Sequence, residues 1–402
     1  MTDSIKINLS LRQILPDDRM NINAEICTRS TPWGESKRRY SAPTVQQSPV
    51  AKSHTKWVVR CERGSDELEG YLVPTSIDAD LNIPNAITGH NVEHGTSVFA
   101  AGVASLELLR IWLAECGLPR NQLDLLTTDD ITLNGVTLTF LVPCPSKDAA
   151  QALMNAINVT SKVLNSGSTS WESSNITVKI PERGFTLGAY IKTELKHCKW
   201  ADDAPASAMV ERTAYIVRIE AKLGLPFLRE RNLLKLENWR HAYIDGIYEQ
   251  IFGETVVKSM RLDGKSLRHK APREEVYSKL TLTEAHVLRG YIEGRQPRQC
   301  KSVVESKNPA KRFSELRLRL LDVAQIDIGI PWPEHVKLRC FELTGQLRYP
   351  GDYHPSMEHA PWCFCKDNWP ALRETLRVAY EAAVTTAEKQ KARDVTAKPV
   401  AA

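Results

Sequence analysis

The sequence predicts an α+β protein in which an antiparallel sheet is followed by a mainly helical part. Segments of strand length with alternating polar and apolar residues occupy much of residues 56–223, and one pair of them reads as a hairpin. Beyond residue 226 the apolar residues follow helical spacing instead. We therefore expect a sheet-based domain followed by a helical one.

Length and composition set the broad class of the protein. The 402 residues suffice for two or three domains with buried cores, and 42% hydrophobic with 25% charged residues is typical of a globular chain. No apolar run approaches the roughly 20 residues of a membrane span. The N-terminus lacks the basic-then-apolar layout of a signal peptide, and nine scattered cysteines suit reduced thiols. We therefore expect a cytoplasmic protein.

Basic residues are concentrated in the helical part. From Lys258 to Arg319 the sequence has 16 Lys and Arg against 7 Asp and Glu, a net charge of +9, so the remainder of this +5 chain sums to −4. Such a block favours a polyanionic partner, usually nucleic acid. A solvated helical surface shows the same excess, so charge alone does not separate the two interpretations.

Patterning divides the chain into four parts. Residues 1–55 are weakly patterned and predict an N-terminal extension with a mobile basic loop over residues 36–53. Residues 56–239 form the predicted sheet domain, and residues 240–384 form the helical, basic domain. Residues 385–402 have few large apolar side chains and are expected to be disordered.

The predicted elements of the sheet domain follow from local signals. In order they are strands near Trp57–Cys61 and Tyr71–Val73, a helix over Ser97–Cys116, a strand over Gly135–Val142, a helix over Lys147–Leu164, a hairpin of Asn175–Ile180 with Thr186–Glu194, and a strand over Thr213–Leu223. Thr96 or Ser97 caps the first helix, and Gly117 ends it.

Two of the predicted strands carry ionic faces. Because strand side chains alternate, Tyr190, Lys192 and Glu194 share one face, and Arg218 and Glu220 share a face of the last strand. A phenol with a pKa near 10 is a poor nucleophile, and an adjacent cation favours its ionised form. An active-site cleft built on a sheet has such faces, and so does an ordinary solvent-facing antiparallel sheet.

The helical part contains three segments with helical spacing, near Leu233–Phe252, Thr283–Glu293 and Pro309–Val323. The break at Gly294–Pro297 separates the last two, which resemble a helix-turn-helix in outline. The basic residues on or beside the final segment are Lys307, Lys311, Arg312, Arg317 and Arg319. These residues are candidates for contacts with DNA phosphates.

Four segments in order resemble the gene II replication initiator family of filamentous bacteriophages. They are Pro84–Val92, Ser170–Ser173, Thr186–Lys192 and Val217–Lys222, and the spacing between them is also similar to that of the family. The resemblance covers roughly residues 56–239 and is fainter in the helical part. It implies a sheet domain related to those of rolling-circle initiators.

The resemblance implies a DNA nicking-joining endonuclease that starts rolling-circle replication. Such an enzyme cuts one strand of double-stranded phage replicative-form DNA at the origin, holds the 5′ end on a tyrosine, and later rejoins the displaced strand. The matching tyrosine is Tyr190 and the matching lysine is Lys192. Host helicase and DNA polymerase are the implied partners, the host cytoplasm is the implied location, and no membrane is involved.

The chemistry of phosphoryl transfer predicts a divalent cation beside this tyrosine. Charge that develops on the phosphate oxygens is stabilised by cations, and Mg²⁺ or Mn²⁺ prefers carboxylate ligands. Glu220 is the best candidate ligand, while Arg218 and Lys222 beside it could hold DNA phosphates.

The sequence departs from related nickases at the expected second ligand. It contains no His-x-His motif, and Thr137 occupies the position where relatives of the family carry an acidic residue. Residues that could supply the missing ligand are Asp78, Asp80, Asp129, Asp130 and His90.

Two other interpretations remain open. Zinc could bind among His354, His359, Cys363 and Cys365, but their spacing matches none of the common zinc motifs, and the aromatic residues between the cysteines are typical of packing. The basic block and Thr137 also suit a non-catalytic origin-binding replication or copy-control protein.

Overall fold

The computed structural model describes residues 2–20, 22, 26–27, 38–41, 44–48, 50–51, 54–63, 72–151, 153–154, 157, 169–172, 175–180, 183–192, 198–257, 268, 270–329, 331–333, 349–351 and 353–397. Within these ranges the protein is a mixed α/β chain built on an eleven-stranded antiparallel sheet. The strands of the sheet are β1 (Thr2–Ser10), β2 (Ile26–Cys27), β3 (Arg38–Ser41), β4 (Thr44–Gln47), β5 (His54–Arg63), β6 (Leu72–Asn82), β8 (Ile131–Pro143), β9 (Thr169–Glu172), β10 (Asn175–Ile180), β11 (Phe185–Ile191) and β12 (Ile216–Gly224). The two-residue strand β7 (His94–Gly95) lies outside this sheet.

The spatial order of the strands is β2-β3-β5-β6-β1-β8-β12-β11-β10-β9, with β4 paired to β5. The predicted strands near Trp57–Cys61 and Gly135–Val142 are confirmed and are longer than predicted. The hairpin beginning at Asn175 is also confirmed: its first strand has the predicted bounds, and its second covers Phe185–Ile191. The strand predicted near Tyr71–Val73 extends to Asn82. The predicted Thr213–Leu223 strand begins later, at Ile216, because residues 206–213 form a helix.

The N-terminal segment differs from the sequence-based expectation. β1 lies in the middle of the sheet between β6 and β8, so residues 2–10 are part of the sheet domain and not an extension that precedes it. The alternating residues Ile5, Ile7 and Leu9 are 0–1% exposed, and their burial holds the strand in this central place. Residues 38–41 and 44–47 also form strands, where a mobile loop had been expected.

Helices lie between and after these strands. They are α1 (Pro16–Met20), α2 (Ile83–Thr88), α3 (Val98–Glu115), α4 (Arg120–Leu123), α5 (Ala206–Thr213), α6 (Leu225–Glu230), α7 (Ile247–Ile251), α8 (Glu274–Tyr277), α9 (Leu282–Ile292), α10 (Lys301–Val304), α11 (Pro309–Ala324) and α12 (Trp369–Ala397). The predicted helix after Ser97 is α3, and the Ser97 side chain caps it by accepting from the Ala100 N–H. Of the predicted helix from Lys147, residues 147–151 are helical, and most of its second half lies outside the described residues.

The C-terminal helix returns to the sheet domain. Leu376, Tyr380 and Val384 of α12 are buried in the same core as α3 and the apolar face of the sheet. The helix continues to Ala397, so the prediction of disorder from residue 385 is wrong over the described residues. One apolar residue on each successive turn anchors a helix although its overall composition is polar, and composition alone does not show this spacing.

A separate helical core lies between residues 274 and 332. Val287, Leu288, Leu316 and Leu320 bury against one another there, on α9 and α11, which confirms the helices predicted over residues 283–293 and 309–323. The segment predicted as one helix over residues 233–252 is instead a 3-10 turn, irregular turns and the short helix α7, packed on the sheet core. The boundary expected at residue 240 therefore cuts through the sheet domain. In the part of the chain that the structure describes, no helix is long and apolar enough to cross a membrane.

Candidate active site on the polar face of the sheet

The predicted ionic faces of β11 and β12 lie side by side. The strands pair antiparallel, with Tyr190 opposite Arg218 and Gly188 opposite Glu220. On its other edge, β12 places Glu220 opposite Thr139 of β8. The apolar faces of the same strands are in the core, as the alternation predicts. Glu194, which was predicted to share the face of Tyr190 and Lys192, lies outside the described residues.

Tyr190 and Glu220 are joined by a hydrogen bond. The Tyr190 hydroxyl donates to Glu220 Oε1 over 2.5 Å, a diagonal contact along the paired strands. Gly188 has no side chain opposite Glu220, which leaves space for this contact. Burial raises the pKa of Tyr190 above its ordinary value, and the charge of Glu220 adds to this, while Arg218 opposes it. The sequence suggested that an adjacent cation would favour the ionised form of Tyr190, but in this arrangement the net effect is a raised pKa.

Arg218 is a buried residue that organises the neighbouring loop. It is 2% exposed, and its Nη2 donates to the carbonyl oxygens of Asn91 and Val92 over 2.7 and 2.8 Å. Its guanidinium carbon lies 5.8 Å from the centre of the Tyr190 ring. Burial acts to lower the pKa of Arg218, but the charges of Tyr190, Asp3 and Glu220 outweigh it and raise the pKa overall. Nη1 is buried and has no hydrogen-bond partner among the described residues.

Lys192 contacts the same loop. Its Nζ donates to the Asn91 side-chain oxygen and lies 3.4 Å from the Asn91 carbonyl oxygen. Burial, with Arg218 nearby, lowers the pKa of Lys192 to about 8. A lysine with this pKa changes charge close to physiological pH.

Asp3 is a member of the cluster that sequence reasoning missed. It is 7% exposed, and it accepts hydrogen bonds from the side-chain amides of Asn91 over 2.9 Å and Asn82 over 3.4 Å. Burial raises the pKa of Asp3, Arg218 opposes this, and the charge of Glu220 adds to it, so the three groups are electrostatically linked. The signal in the sequence is an acidic residue at the edge of a short alternating segment.

A bulge in β1 gives Asp3 its position. Thr2 pairs with Leu138 of β8 and Ser4 pairs with Thr137, so a step of two residues in β1 lies opposite a step of one residue in β8 and Asp3 is the additional residue. A bulge re-aims the extra side chain and disrupts the simple alternation of faces. Strict alternation would put Asp3 on the face of Ile5 and Ile7. This is why the pattern alone does not show that Asp3 joins the polar cluster.

The loop of residues 89–95 is fixed from two sides. Arg218 and Lys192 hold Asn91 from β12 and β11, and β7 in the same loop pairs parallel with β13 (Phe364–Cys365). Gly89 ends α2 with φ +81°, and its carbonyl accepts from the Lys199 N–H over 2.6 Å. The C-terminal part of the chain therefore helps to build the cluster.

The additional ligands suggested by the sequence lie elsewhere or are already bonded. His90 Nδ1 accepts from the Val92 N–H, so its Nε2 donates to the Trp362 carbonyl over 2.8 Å. Burial lowers the pKa of His90 to about 4. Asp78 pairs with Arg60 and accepts from Asn8, and Asp80 pairs with Lys6 over 2.8 Å.

The acidic residues of β6 are also remote from Glu220. β1 and β8 lie between β6 and β12, so the distance between β6 and β12 is three strand spacings, or about 14 Å. Asp130 caps a 3-10 turn with Thr127 and accepts from Gln13, and Asp129 lies in the same turn. Thr137 accepts a hydrogen bond from the Ser4 hydroxyl and lies opposite Lys222, whereas Thr139 is the residue opposite Glu220.

The predicted DNA-binding residues fall into two groups. Lys222, Lys307 and Lys311 are exposed, and Lys222 Nζ lies 3.6 Å from Glu220 Oε2. Arg312 pairs with Glu315 on the surface of α11. Arg317 instead forms a two-bond ion pair with the fully buried Asp327 over 2.6 and 3.0 Å, which makes it a structural residue of the helical core.

The residues considered for zinc do not gather into one site. Cys363 and Cys365 are buried thiols, and burial raises the pKa of both, while His354 is exposed. His359 Nδ1 lies 3.4 Å from Glu93 Oε2. Among the residues that the structure describes, no group of three or more His, Cys, Asp or Glu side chains is arranged to hold a metal ion. Phe364 packs edge-on against Trp369, as expected of a core residue.

The fold and the cluster define a mixed α/β protein in which the half-buried Tyr190 lies beside the buried Glu220 and Arg218 on the polar face of an antiparallel sheet. No protein family, curated protein or solved structure matches the chain.

Proposed function

We propose that this protein is an initiator of phage rolling-circle DNA replication that nicks and rejoins one DNA strand at the origin through Tyr190. The proposal joins the resemblance of four segments to the gene II family with one structural observation. That observation is the 2.5 Å hydrogen bond from the Tyr190 hydroxyl to the Glu220 carboxylate. A nucleophile bonded to a base is the arrangement that covalent catalysis needs.

The proposed step forms one bond and breaks one. The Tyr190 oxygen attacks the scissile phosphorus, the bond from phosphorus to the 3′ oxygen breaks, and that oxygen keeps the electron pair. Glu220 takes the phenol proton, and the departing 3′ oxygen takes a proton from water. Attack by a 3′ hydroxyl on the phosphotyrosine is the reverse reaction and rejoins the strand, so no ATP is required.

Cations around the cluster support this chemistry. Lys192 lies on the same face as Tyr190, Lys222 is exposed beside Glu220, and Arg218 Nη1 has no partner among the described residues. Lys222 and the partly buried Lys192 can meet a phosphate oxygen if the DNA backbone lies along the polar face, whereas the buried Arg218 adds positive charge beneath that face. Bound Mg²⁺ or Mn²⁺ would supply further positive charge to the non-bridging oxygens of the phosphate.

The DNA partner in this proposal is double-stranded phage replicative-form DNA. Lys307, Lys311 and Arg312 on and beside α11 give the helical core an exposed basic surface for duplex contact. Host helicase and DNA polymerase, and action in the host cytoplasm, belong to the same proposal and derive from the resemblance.

Covalent capture of DNA tests the proposal. Purified protein is incubated with supercoiled replicative-form DNA and Mn²⁺ or Mg²⁺, and the products are resolved as open circles and as a protein-linked 5′ end that survives detergent. Tyr190→Phe should abolish both products and leave DNA affinity within about twofold, because only the nucleophilic oxygen is removed. Tyr243→Phe, a partly exposed tyrosine away from the cluster, is the matched control and should nick normally.

A non-catalytic origin-binding or copy-control protein is the second candidate. The observation that favours it is the raised pKa of the half-buried Tyr190, which opposes formation of a phenolate. This candidate predicts tight DNA binding by the wild type with neither open circles nor a covalent adduct. Nicking that persists in Tyr190→Phe would remove Tyr190 from the mechanism.

A further inference from the structure

A pocket lies on the polar face of the sheet, at the end of β1 and β8 that is remote from Tyr190. Its volume is about 340 Å³, which is at the small end of ligand pockets and suits one nucleotide. Asn8 and Ser10 alternate with the buried Ile7 and Leu9 of β1, which places the pocket on the polar side. Its partly exposed hydroxyl and amide side chains are those of Asn8, Ser10, Thr75, Ser76, Thr132 and Asn134.

Two β-bulges shape this pocket. The single step of β1 after Lys6 lies opposite two residues of β8, so Asn134 is an additional residue there. The single step of β5 after Arg60 lies opposite two residues of β6, so Thr75 is an additional residue there. Both additional residues line the pocket. Bulges re-aim side chains and are over-represented beside functional sites, so an ordinary solvated sheet surface does not account for this pair.

The pocket presents hydrogen-bonding groups that complement a nucleobase. Asn8 Nδ2 donates to Ser76 Oγ over 3.0 Å and to Asp78 Oδ1 over 2.8 Å, which orients the amide and leaves its Oδ1 to accept from a ligand. The Asn134 amide has no bonded partner among the residues that the structure describes, and it offers a donor and an acceptor side by side. An asparagine amide of this kind bonds to N6 and N7 of adenine, and the second N6 hydrogen can meet Asn8 Oδ1.

The charges at the pocket favour a neutral base inside it and a phosphate at its rim. Arg12 and Arg60 line the pocket together with Glu62, and Arg60 pairs with the neighbouring Asp78, so these four groups sum to no net charge. Arg12 is exposed, and a guanidinium holds a phosphate through two parallel hydrogen bonds.

The polar face connects this pocket to the cluster around Tyr190. Glu220 lies opposite Thr139 of β8, and from there to Thr132 at the pocket is about six strand steps, or about 20 Å. Lys222 and Lys6 are exposed along this way. A single DNA strand that follows the face reaches both places with its phosphates close to these cations.

We propose that this pocket binds one unpaired adenine nucleotide of the strand that is cut at Tyr190, and so selects the DNA sequence at a distance from the cut. Asn134 and Asn8 read the edge of the base, and Arg12 holds its phosphate. The link to cutting rests on the proposed function, whereas binding of a nucleotide by the pocket does not.

Binding of single-stranded DNA tests the pocket. The full chain is titrated into fluorescein-labelled homo-oligonucleotides of A, C or T, each of about 12 nucleotides, and fluorescence anisotropy reports binding. EDTA is present so that metal-dependent cutting does not interfere. We expect the wild type to bind the A oligonucleotide at least fivefold more tightly than the others, and Asn134→Ala to lose that preference. Asn121→Ala, on the exposed surface of α4, is the matched control and should keep it.

A second variant separates the phosphate contact from base recognition. Arg12→Ala should weaken binding of all three oligonucleotides alike and lower the salt slope by about one phosphate contact, because only a charge is removed. Both Arg12 and Asn134 are at least partly exposed, so their replacement should leave the fold intact, and circular dichroism checks this.

Equal affinity of the wild type for the three oligonucleotides, or an unchanged preference for A in folded Asn134→Ala, would overturn the pocket assignment. A preference for A that Asn134→Ala loses, together with no nicking of replicative-form DNA by the wild type, would instead refute the proposed function and leave the pocket intact.

Discussion

At the scale of single residues, burial changes the chemistry of the ionic faces of β11 and β12. Alternation placed Tyr190 on the polar face of its own strand, and Arg218 with Glu220 on the polar face of theirs; the pairing of the two strands joins these faces. It did not show that two of these side chains are buried: Arg218 is 2% exposed and Glu220 is 7% exposed. In this setting Tyr190 donates to a carboxylate, and its pKa rises because burial disfavours the charged phenolate. The proposed attack by Tyr190 therefore requires a base to take its proton, and Glu220 accepts the hydrogen bond from the Tyr190 hydroxyl.

The lowered pKa of Lys192 predicts that the rate of nicking depends on pH. Its pKa of about 8 is below the ordinary value of a lysine, so the side chain is charged below pH 8 and neutral above it. If its charge stabilises the phosphate, the nicking rate should fall as the pH rises through about 8. Lys192→Arg keeps the charge at all these pH values and should lack that fall. A decline at the same pH in Lys192→Arg would assign it to another group.

At the scale of elements, the loop of residues 89–95 decides the geometry of the cluster. The sequence gives a turn signal at Gly89 but does not show what the loop contacts. In the structure, side chains of β11 and β12 and the strand β13 fix it. Those contacts join residues far apart in the chain, so local patterns carry no trace of them.

Replacing Gly89 should disturb this loop specifically. Its φ of +81° strains any other residue, and an added Cβ would lie 2.0 Å from the Lys199 carbonyl oxygen. Gly117 has φ +88° with nothing within 4 Å of an added Cβ, which makes Gly117→Ala the matched control. Both variants should lose about 1–2 kcal/mol of stability from the backbone conformation. Gly89→Ala should lose more, and thermal unfolding measures the difference; equal losses would show that the loop can move aside.

Residues on the single helix α11 should separate into structural and DNA-binding roles. Arg317→Ala leaves the buried Asp327 carboxylate without its two-bond ion pair, and should cost about 3–5 kcal/mol of unfolding free energy. Lys311→Ala with Arg312→Ala should leave stability nearly unchanged, weaken DNA binding and reduce its salt dependence. Chemical denaturation and binding at several salt concentrations measure both effects. An unchanged salt slope in the double variant would place the DNA elsewhere.

At the scale of the whole molecule, the two ends of the described chain complete one sheet domain. β1 provides the centre of the sheet, and α12 packs on α3 over the apolar face. The helical core of residues 274–332 is therefore inserted between parts of the sheet domain in sequence. A division of the chain into consecutive domains could not represent this arrangement.

Removal of α12 should destabilise the sheet domain. A chain ending at Asp367 loses the buried Leu376, Tyr380 and Val384, each worth about 1.5–3 kcal/mol, so its melting temperature should fall by about 10 °C or more. A chain ending at Lys389 keeps all three and should melt close to the wild type. Circular dichroism on heating compares them. A small shift in the shorter chain would mean that α12 is only a peripheral support.

The sequence by itself determined the strands β5, β6, β8, β10, β11 and β12, the helices α3, α9 and α11, and the polar side chains of β11 and β12. These features follow from periods of two and 3.6 residues and from capping residues, which are local. The tertiary structure alone decided that β1 is central, that a bulge aims Asp3 into the cluster, that His94 lies beside it, and that Arg317 is structural. The reason is physical: burial, register and charge pairing depend on which distant segments meet, and no local pattern records those meetings.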